Sequence, residues 1–519
     1  MSGRDELRDF DEARRQEIDG RETGERSERS RGYRISVASR NGQGREESRV
    51  SSLRSPSSSN GTDSQEPESK GGPDLSSHSS LVSLRANFPE PLGNDAYFGL
   101  AGEIVRTIEP HSEADLAAVM ASTLTMFGNA VGYGPYFIAG DARHATNLFA
   151  AIVGATSDGR KGTSAESPRR LLTWVDEAWV ACIASGLASG EGLIHHIRDA
   201  RNDRRKAKKG EAADEDGMVE ELVDSGVDDK RLLVLAPEFA QVLGVIAREG
   251  NTLSATLREL WDRDRAQTLS KGCPERTSKS LVSLIAHITP DELRARLDTT
   301  EVANGFANRF IYVASRRSKF LPRGGSVPED KLINLASAVD AALRQARLVT
   351  EVGMEAEAWE LWEERYRSLV ERPPGLMGAL TGRAAPIVRR LALVYALLDS
   401  RPLVTVDHLR AALEVWRYSE DSVRWVFGDR LGDRVADQCL VALLAAGEEG
   451  LSRTELWTQL QRHTTAHRMT DALQSLADAQ LARCVHVPTK GRPAERWYAT
   501  TRERSERSER SERRSQPHE

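Results

Sequence analysis

The sequence predicts an α/β fold: a parallel sheet flanked by helices, then a helical region, then a small winged helix, between polar tails. Three observations lead there. Apolar runs at 147–153, 231–239, 280–287 and 310–314 are separated by stretches of helical periodicity, as in strands buried on both faces of a parallel sheet. From 328 to 427 the apolar residues recur at i, i+3, i+4 and i+7, the spacing of one helix face after another. Residues 434–500 read as three helices and a β-hairpin.

Length and composition set the frame. The chain has 519 residues, enough for two or three domains. Residues 1–80 are rich in Arg, Glu, Ser and Gly and poor in apolar residues. They cannot bury enough surface to offset the entropy of ordering, so a disordered tail is predicted over 1–85. A second is predicted over 501–519, where Arg-Ser-Glu repeats, echoed by Glu25–Ser30. The net charge of −6 gives no global nucleic-acid footprint, so basic surface must be local. The four cysteines are scattered without a C-x-x-C pair, which argues against zinc or a disulfide framework and fits a reducing cytoplasm. No apolar run reaches membrane-spanning length, and the charged start is not that of a signal peptide.

In chain order, Ala96–Thr107 and Ala114–Gly128 are predicted helices, the second after a cap-like Ser112. Residues 133–153 read as strands, and a helix is predicted over Ser164–Ala184. A glycine-rich loop, Gly186–Gly192, leads into a short helix at Leu193–Ala200. Residues 201–230 begin basic and turn acidic, which reads as a solvated loop or hairpin. Helices are predicted at Ala240–Glu249, Thr252–Trp261, Leu332–Leu348, Ala356–Val370, Thr381–Leu398 and Val406–Phe427. The last segment divides into Arg434–Ala446, Ser452–Leu460 with a capping box from Ser452 to Glu455, Thr465–Ala479, and strands Ala482–Val487 and Arg496–Ala499. The domains read as a core at 90–325, a helical region at 328–430 and a winged helix at 434–500.

The chemistry centres on Gly154-Ala155-Thr156-Ser157-Asp158-Gly159-Arg160-Lys161-Gly162-Thr163-Ser164, between a strand and a helix. Strand, glycine loop with lysine and hydroxyls, then helix is how a protein cradles a nucleotide's phosphates. The candidate nucleotide-binding residues are Gly154, Thr156, Ser157, Gly159, Arg160, Lys161, Gly162, Thr163 and Ser164. Lys161 would reach the outer phosphates of ATP, and Thr163 or Ser164 would hold Mg2+. Against the pattern G-x-x-x-x-G-K-[ST], the loop carries one extra residue on each side of its lysine, Arg160 and Gly162. A tight structural turn would also account for the glycines.

Hydrolysis needs an acid near the metal, a carboxylate to orient water and cationic help in the transition state. Glu238 ends a buried strand and is a candidate for metal and water; a solvent-facing glutamate is the plainer alternative. Glu191, between two glycines, suits a water-activating base or a simple turn. His287 at a strand exit is a candidate γ-phosphate sensor or a hydrogen-bonded strand end. Arg309 is a candidate arginine finger reaching a neighbouring subunit, or one half of an ion pair. In the winged helix, Arg453, His467, Arg468, Lys490 and Arg492 are candidate DNA contacts, although such modules also bind proteins.

Over residues 90–500 these motifs, with Ser189–Leu193, Pro237–Phe239, Ala286–Thr289 and Ala307–Phe310, resemble the DUF3987 group of actinobacterial and mobile-element proteins. That group is related to RecA-like replicative helicase domains and the helicase portions of primase–helicase proteins. The resemblance implies a RecA-like P-loop NTPase core, ATP and Mg2+ as ligands, a homo-oligomer, and work on DNA in replication or a mobile element. It makes Lys161 and Thr163 or Ser164 the nucleotide and magnesium residues, and Glu238 the acid of the Walker B strand. The chain departs from that pattern in its stretched loop and in Ala236, which leaves Glu238 as the only acid at its strand end. Two functions follow: a DNA-associated ATPase of helicase type, or a non-hydrolysing nucleotide-binding scaffold acting as a regulator or replication initiator.

Overall fold

The computed structural model describes residues 88–500, apart from 157–158, 209–210, 213, 217, 270–273, 298, 374, 429–430, 461–463 and 488–493. The tails expected at 1–85 and 501–519 lie outside the described residues.

Two helices come first, α1 (Gly99–Ile108) and α2 (Leu116–Val131). The cap of α2 is Asp115, whose carboxylate accepts from the Ala117 amide at 3.0 Å. Ser112, the expected cap, instead accepts from the Ala114 amide at 3.1 Å and shapes the turn before it. From Ala117 to Val131 every residue of α2 is buried, so this helix runs through the core rather than over its surface.

There follow β1 (Phe149–Val153), α3 (Lys161–Val175), β2 (Ile183–Ala184), α4 (Gly190–His196) and β3 (Arg231–Ala236). Then come α5 (Phe239–Ile246), α6 (Leu253–Asp262), β4 (Leu281–Ile288), α7 (Pro290–Arg296) and β5 (Phe310–Ala314). The helix expected to reach Ala184 stops at Val175. Asp176 is drawn away to Arg231 and Arg347, at 2.6 and 2.5 Å, and the short strand β2 takes up the end of the segment.

The strands form one five-stranded, all-parallel sheet in the order β5-β1-β4-β3-β2. Every residue of β1 and β5 is buried, which explains their unbroken apolar sequences. Because all strands point one way, the residues that follow them gather along one edge: Gly154, Glu238, Thr289 and Ser315. From β1 the chain goes to β2 at one side, returns through β3 and β4, then passes β1 to reach β5. The connection from β1 crosses to one side and that from its neighbour β4 to the other, so the connections reverse direction between the carboxyl ends of β1 and β4, the place where open α/β sheets form a ligand crevice.

The helices α8 (Glu329–Leu348), α9 (Ala356–Val370), α10 (Gly375–Thr381), α11 (Ala384–Leu398) and α12 (Val406–Phe427) have no core of their own. Their apolar residues belong to a single cluster that reaches from Leu92 to Phe427 and includes the sheet. Along the outer side of β5, α12 substitutes side-chain oxygens for a missing strand. Ser419 Oγ accepts from the Tyr312 amide and Ser422 Oγ from the Ala314 amide, both at 2.9 Å. The Tyr418 hydroxyl donates to the Ala314 carbonyl at 2.8 Å. The sheet edge is thus satisfied and closed to pairing.

A second apolar cluster begins at Ala436. It fills a module of α13 (Arg434–Ala446), α14 (Arg453–Gln459) and α15 (Ala466–Asp478) on a small antiparallel sheet. Leu443, Leu456, Leu473, Leu476 and Trp497 meet at its centre. The capping box forms: the Ser452 amide donates to Glu455 at 2.7 Å, and Ser452 Oγ accepts from the Glu455 amide. The charged insertion is a hairpin of Arg201–Lys206 against Met218–Asp224, with Arg205 held by Glu211 and Glu221 at 2.7 and 2.5 Å. Its basic half pairs with its acidic half. Among the described residues no helix is long and apolar enough to cross a membrane.

Ser419→Ala or Ser422→Ala strands a buried amide of β5. Each substitution is expected to cost about 1–3 kcal/mol of stability, read from the urea midpoint. Unchanged midpoints in both variants would contradict the edge-sealing role of α12.

Candidate functional site

The loop after β1 is clamped before it turns. The Gly154 amide donates to the Ile288 carbonyl of β4 at 3.1 Å, and the Ser315 amide beyond β5 donates to Val153 at 2.8 Å. Ser315 Oγ donates to the Gly159 carbonyl at 2.7 Å. Within the loop the Gly159 amide bonds to Ala155 at 3.0 Å. A Cβ at Gly154 would lie 2.4 Å from the Ser315 carbonyl oxygen, and one at Gly159 would lie 2.8 Å from that of Ala155. Both positions therefore require glycine for close approach. Gly162 meets nothing within 4 Å.

Arg160 adopts the left-handed region, φ 43°, and α3 starts at Lys161. A non-glycine residue there is strained, and such strain is typical of functional loops. Its guanidinium turns to Glu113 at 2.5 Å. The first-turn amides of α3 are left without helical partners, as at every helix start, and the helix dipole favours an anion there.

Lys161 folds its ammonium over the loop. Nζ donates to the Gly154 carbonyl at 2.6 Å and to that of Ala155 at 3.2 Å. Burial lowers its pKa, and the charges of Glu292 and Glu238 counter this. Glu238 is exposed just beyond β3, at the start of α5, with its side chain free of any capping bond. Glu292 lies in the first turn of α7 and accepts from the Thr289 amide and hydroxyl through Oε2, at 3.1 and 2.7 Å. Sequence reasoning missed Glu292. The signal was present as Thr289-Pro290-Asp291-Glu292, a capping box behind an apolar strand.

His287 stands opposite Ile152 in the β4–β1 register. Burial first, and the Lys161 charge second, push its pKa down to about 4. It is a neutral imidazole at pH 7, and its Nε2 is buried without a hydrogen-bond partner. Lys161, His287, Glu238 and Glu292 are thus among the titratable groups that the fold brings to the loop.

Other expected residues stand elsewhere or are otherwise engaged. Thr156 is exposed in the loop, Thr163 is exposed in the first turn of α3, and Ser157 lies outside the described residues. Ser164 is buried and donates to the Lys161 carbonyl at 2.6 Å, so its side chain turns inward while that of Thr163 is exposed. Glu191 is not in a loop but in the first turn of α4, capped by Ser189, and accepts from the Thr252 hydroxyl at 2.9 Å.

Arg309 is corrected outright as a finger. It precedes β5, at the sheet edge opposite the loop, with only 4% of its surface exposed. It is bound to Asp262 at 2.5 Å. A guanidinium buried in its own subunit has no reach into another. In the C-terminal module, Arg453 pairs with Glu495, His467 with Asp471 and Arg468 with Asp433, at 2.6 to 2.7 Å. These residues do not form an unpaired basic patch, and Lys490 and Arg492 lie outside the described residues.

Compared with known proteins, the chain matches no family model and gives no match among curated sequences.

Gly162→Ala is expected to be neutral or to stabilise α3 by up to about 1 kcal/mol, whereas Gly154→Ala should displace the loop and lower the melting temperature. Equal melting temperatures for the two variants would refute the clamp. His287 has a pH signature. Its folded pKa of about 4 lies below the ordinary 6.5, so on acidification the unfolded chain takes up this proton first. Its presence should therefore lower stability as pH falls from about 6.5 to about 4, with no further loss below that. Urea midpoints of wild type and His287→Asn from pH 7 to 4 should converge or cross across that window; a constant difference would refute the buried neutral imidazole.

Proposed function

We propose that the chain is an ATP-binding, ATP-hydrolysing protein with a RecA-like P-loop core, as its resemblance to the DUF3987 group implies, joined to a C-terminal winged helix that associates with DNA. One observation carries the reading: Lys161 begins a long helix directly behind a glycine loop, at the reversal point of a parallel sheet, with Glu238, Glu292 and His287 around it. A triphosphate fits the chemistry of this edge, since loop amides, a helix start and an ammonium converge there.

In this reading the β- and γ-phosphates displace the Gly154 and Ala155 carbonyls from Lys161 Nζ. The loop backbone surrounds the phosphates, and Gly154 and Gly159 allow the close approach. Mg2+ commonly takes one or two protein oxygens together with phosphates and water; the exposed Thr163 hydroxyl and the Glu238 carboxylate supply that donor set. When bound there it would neutralise phosphate charge. Glu238 or Glu292 orients the attacking water. His287, neutral and with Nε2 unpartnered, offers a hydrogen bond to a γ-phosphate oxygen. Arg309 takes no part.

The DNA association rests on the arrangement of three helices and a small sheet, with exposed His467 and Arg468 on α15. A second reading, a nucleotide-binding scaffold whose module holds a protein, is favoured by the carboxylate partners of Arg453, His467 and Arg468.

The test is phosphate release with ATP and Mg2+, with and without single-stranded or duplex DNA. Turnover stimulated by DNA, and lowered about 100-fold or more in Lys161→Ala, is the expected result. ATP binding that depends on Lys161, without turnover, would select the scaffold reading. ATP binding unchanged in Lys161→Ala would overturn both.

A further inference from the structure

A second cavity, of about 660 Å³, opens at the other edge of the sheet, beside Asn147 before β1 and Leu281 at the start of β4. The hairpin Tyr136–Ala139/Ala142–Ala145, the end of α6, and the stretch from Arg383 into α11 form its walls. Arginine outnumbers aspartate five to three among the lining residues. Three guanidiniums surround one indole: the Arg390, Arg383 and Arg309 groups lie 3.9, 5.2 and 5.4 Å from the Trp261 ring centre. Asp262 is shared, its two oxygens taken by Arg383 at 3.0 Å and by Arg309 at 2.5 Å.

Arg390 has no carboxylate among its hydrogen-bond partners. It is 1% exposed and donates to the Asn147 carbonyl and side-chain oxygens and to the Trp261 carbonyl. Its Nε, Arg309 Nε, Trp261 Nε1 and His144 Nδ1 are all buried without a partner. Buried charge of one sign is costly unless an opposite charge accompanies it, and here Asp262 pairs with Arg309 and Arg383 while Arg390 is left with neutral acceptors. The imidazole of His144 registers the imbalance: after burial, the charges of Arg390 and Arg389 are what depress its pKa, to about 3.

We propose that this cavity is a binding site for a small oxyanion-bearing ligand, whose phosphate or carboxylate group is gripped by Arg383 with the exposed Arg263 and Arg265 at the mouth. Guanidinium forks match both anions. The buried Arg390 and Arg309 supply the attractive field without needing to touch the ligand, and Tyr133 and Tyr136 flank its remainder. The volume suits a small molecule. The site lies at the opposite sheet edge from Lys161 and does not depend on the reading given to the phosphate loop.

The experiment is equilibrium dialysis of inorganic phosphate, and separately of citrate, against full-length Lys161→Ala protein at low ionic strength. That background removes the lysine of the other phosphate-binding candidate. One equivalent should bind and should weaken about tenfold or more in Arg383→Gln. Arg323→Gln, outside the cavity lining, should leave it unchanged. Arg265→Gln, exposed at the mouth, provides the same readout should Arg383→Gln fail to fold, which its melting curve reports. Phosphate bound in preference to citrate identifies a phosphoryl ligand, and the converse a carboxylate; both support the site. No binding, binding indifferent to both substitutions, or displacement by chloride at equal ionic strength would overturn it.

Discussion

Gly154 is held on both sides by its neighbours: its amide is bonded to β4, and its α-carbon lies too close to Ser315 beyond β5 for any side chain. That clamp depends on β1 being an interior strand, so it depends on the parallel register of the whole sheet. It fixes where the loop leaves the sheet, and hence where α3 starts and where Lys161 stands. It also brings the exits of β3 and β4 to the same edge, so that Glu238 and Glu292 act on Lys161 although they are remote in sequence. The edge strand β5 completes the clamp only because α12 satisfies its outer amides through Ser419 and Ser422. The helical region is thus part of the same construction as the loop.

Local signals in the sequence were sufficient where structure is set locally. Apolar runs marked β1, β3, β4 and β5, helical periodicity marked α8, α9, α11 and α12, and Ser452 with Glu455 marked the start of α14. The loop itself was legible because glycine, lysine and hydroxyl residues stand between a strand and a helix. What the sequence hid was set by distant partners. Asp115 caps α2 one turn later than Ser112 suggested. Asp176 leaves its helix for Arg231 and Arg347. Arg309 looked like a presented cation because nothing nearby in sequence shows Asp262 waiting for it. Ser419 and Ser422 read as ordinary polar positions on a helix, yet they face a strand edge.

The two edges of the sheet are built on opposite electrostatic plans. At the carboxyl ends of the strands one ammonium is accompanied by two carboxylates and a neutral imidazole. At the amino ends three guanidiniums surround one indole, and two of them share one carboxylate. An anion entering the first edge would have to displace the Gly154 and Ala155 carbonyls from Lys161 in the field of Glu238 and Glu292, which is easier when a divalent cation offsets the carboxylates. An anion entering the second meets an excess of positive charge and needs no such help. The same histidine chemistry reports the difference: His287 is depressed mainly by burial, with one ammonium adding to it, whereas His144 is depressed by burial and several arginines.

The stretched loop finds a physical account in this geometry. The extra residue before the lysine, Arg160, takes a left-handed turn and anchors on Glu113. The extra residue after it, Gly162, is absorbed into the first turn of α3, where it touches nothing. One residue of helix is about 100° of rotation, so the hydroxyl exposed to solvent is that of Thr163, while Ser164 turns inward to the Lys161 carbonyl. Lysine and hydroxyl stand two positions apart rather than one. In the proposed reading a Mg2+ there would be held by the Thr163 hydroxyl together with the Glu238 carboxylate and would offset phosphate charge. Under the proposed function, Glu238 and Glu292 beyond β3 and β4 are then the acids left to orient water, since they are the carboxylates whose charges act on Lys161.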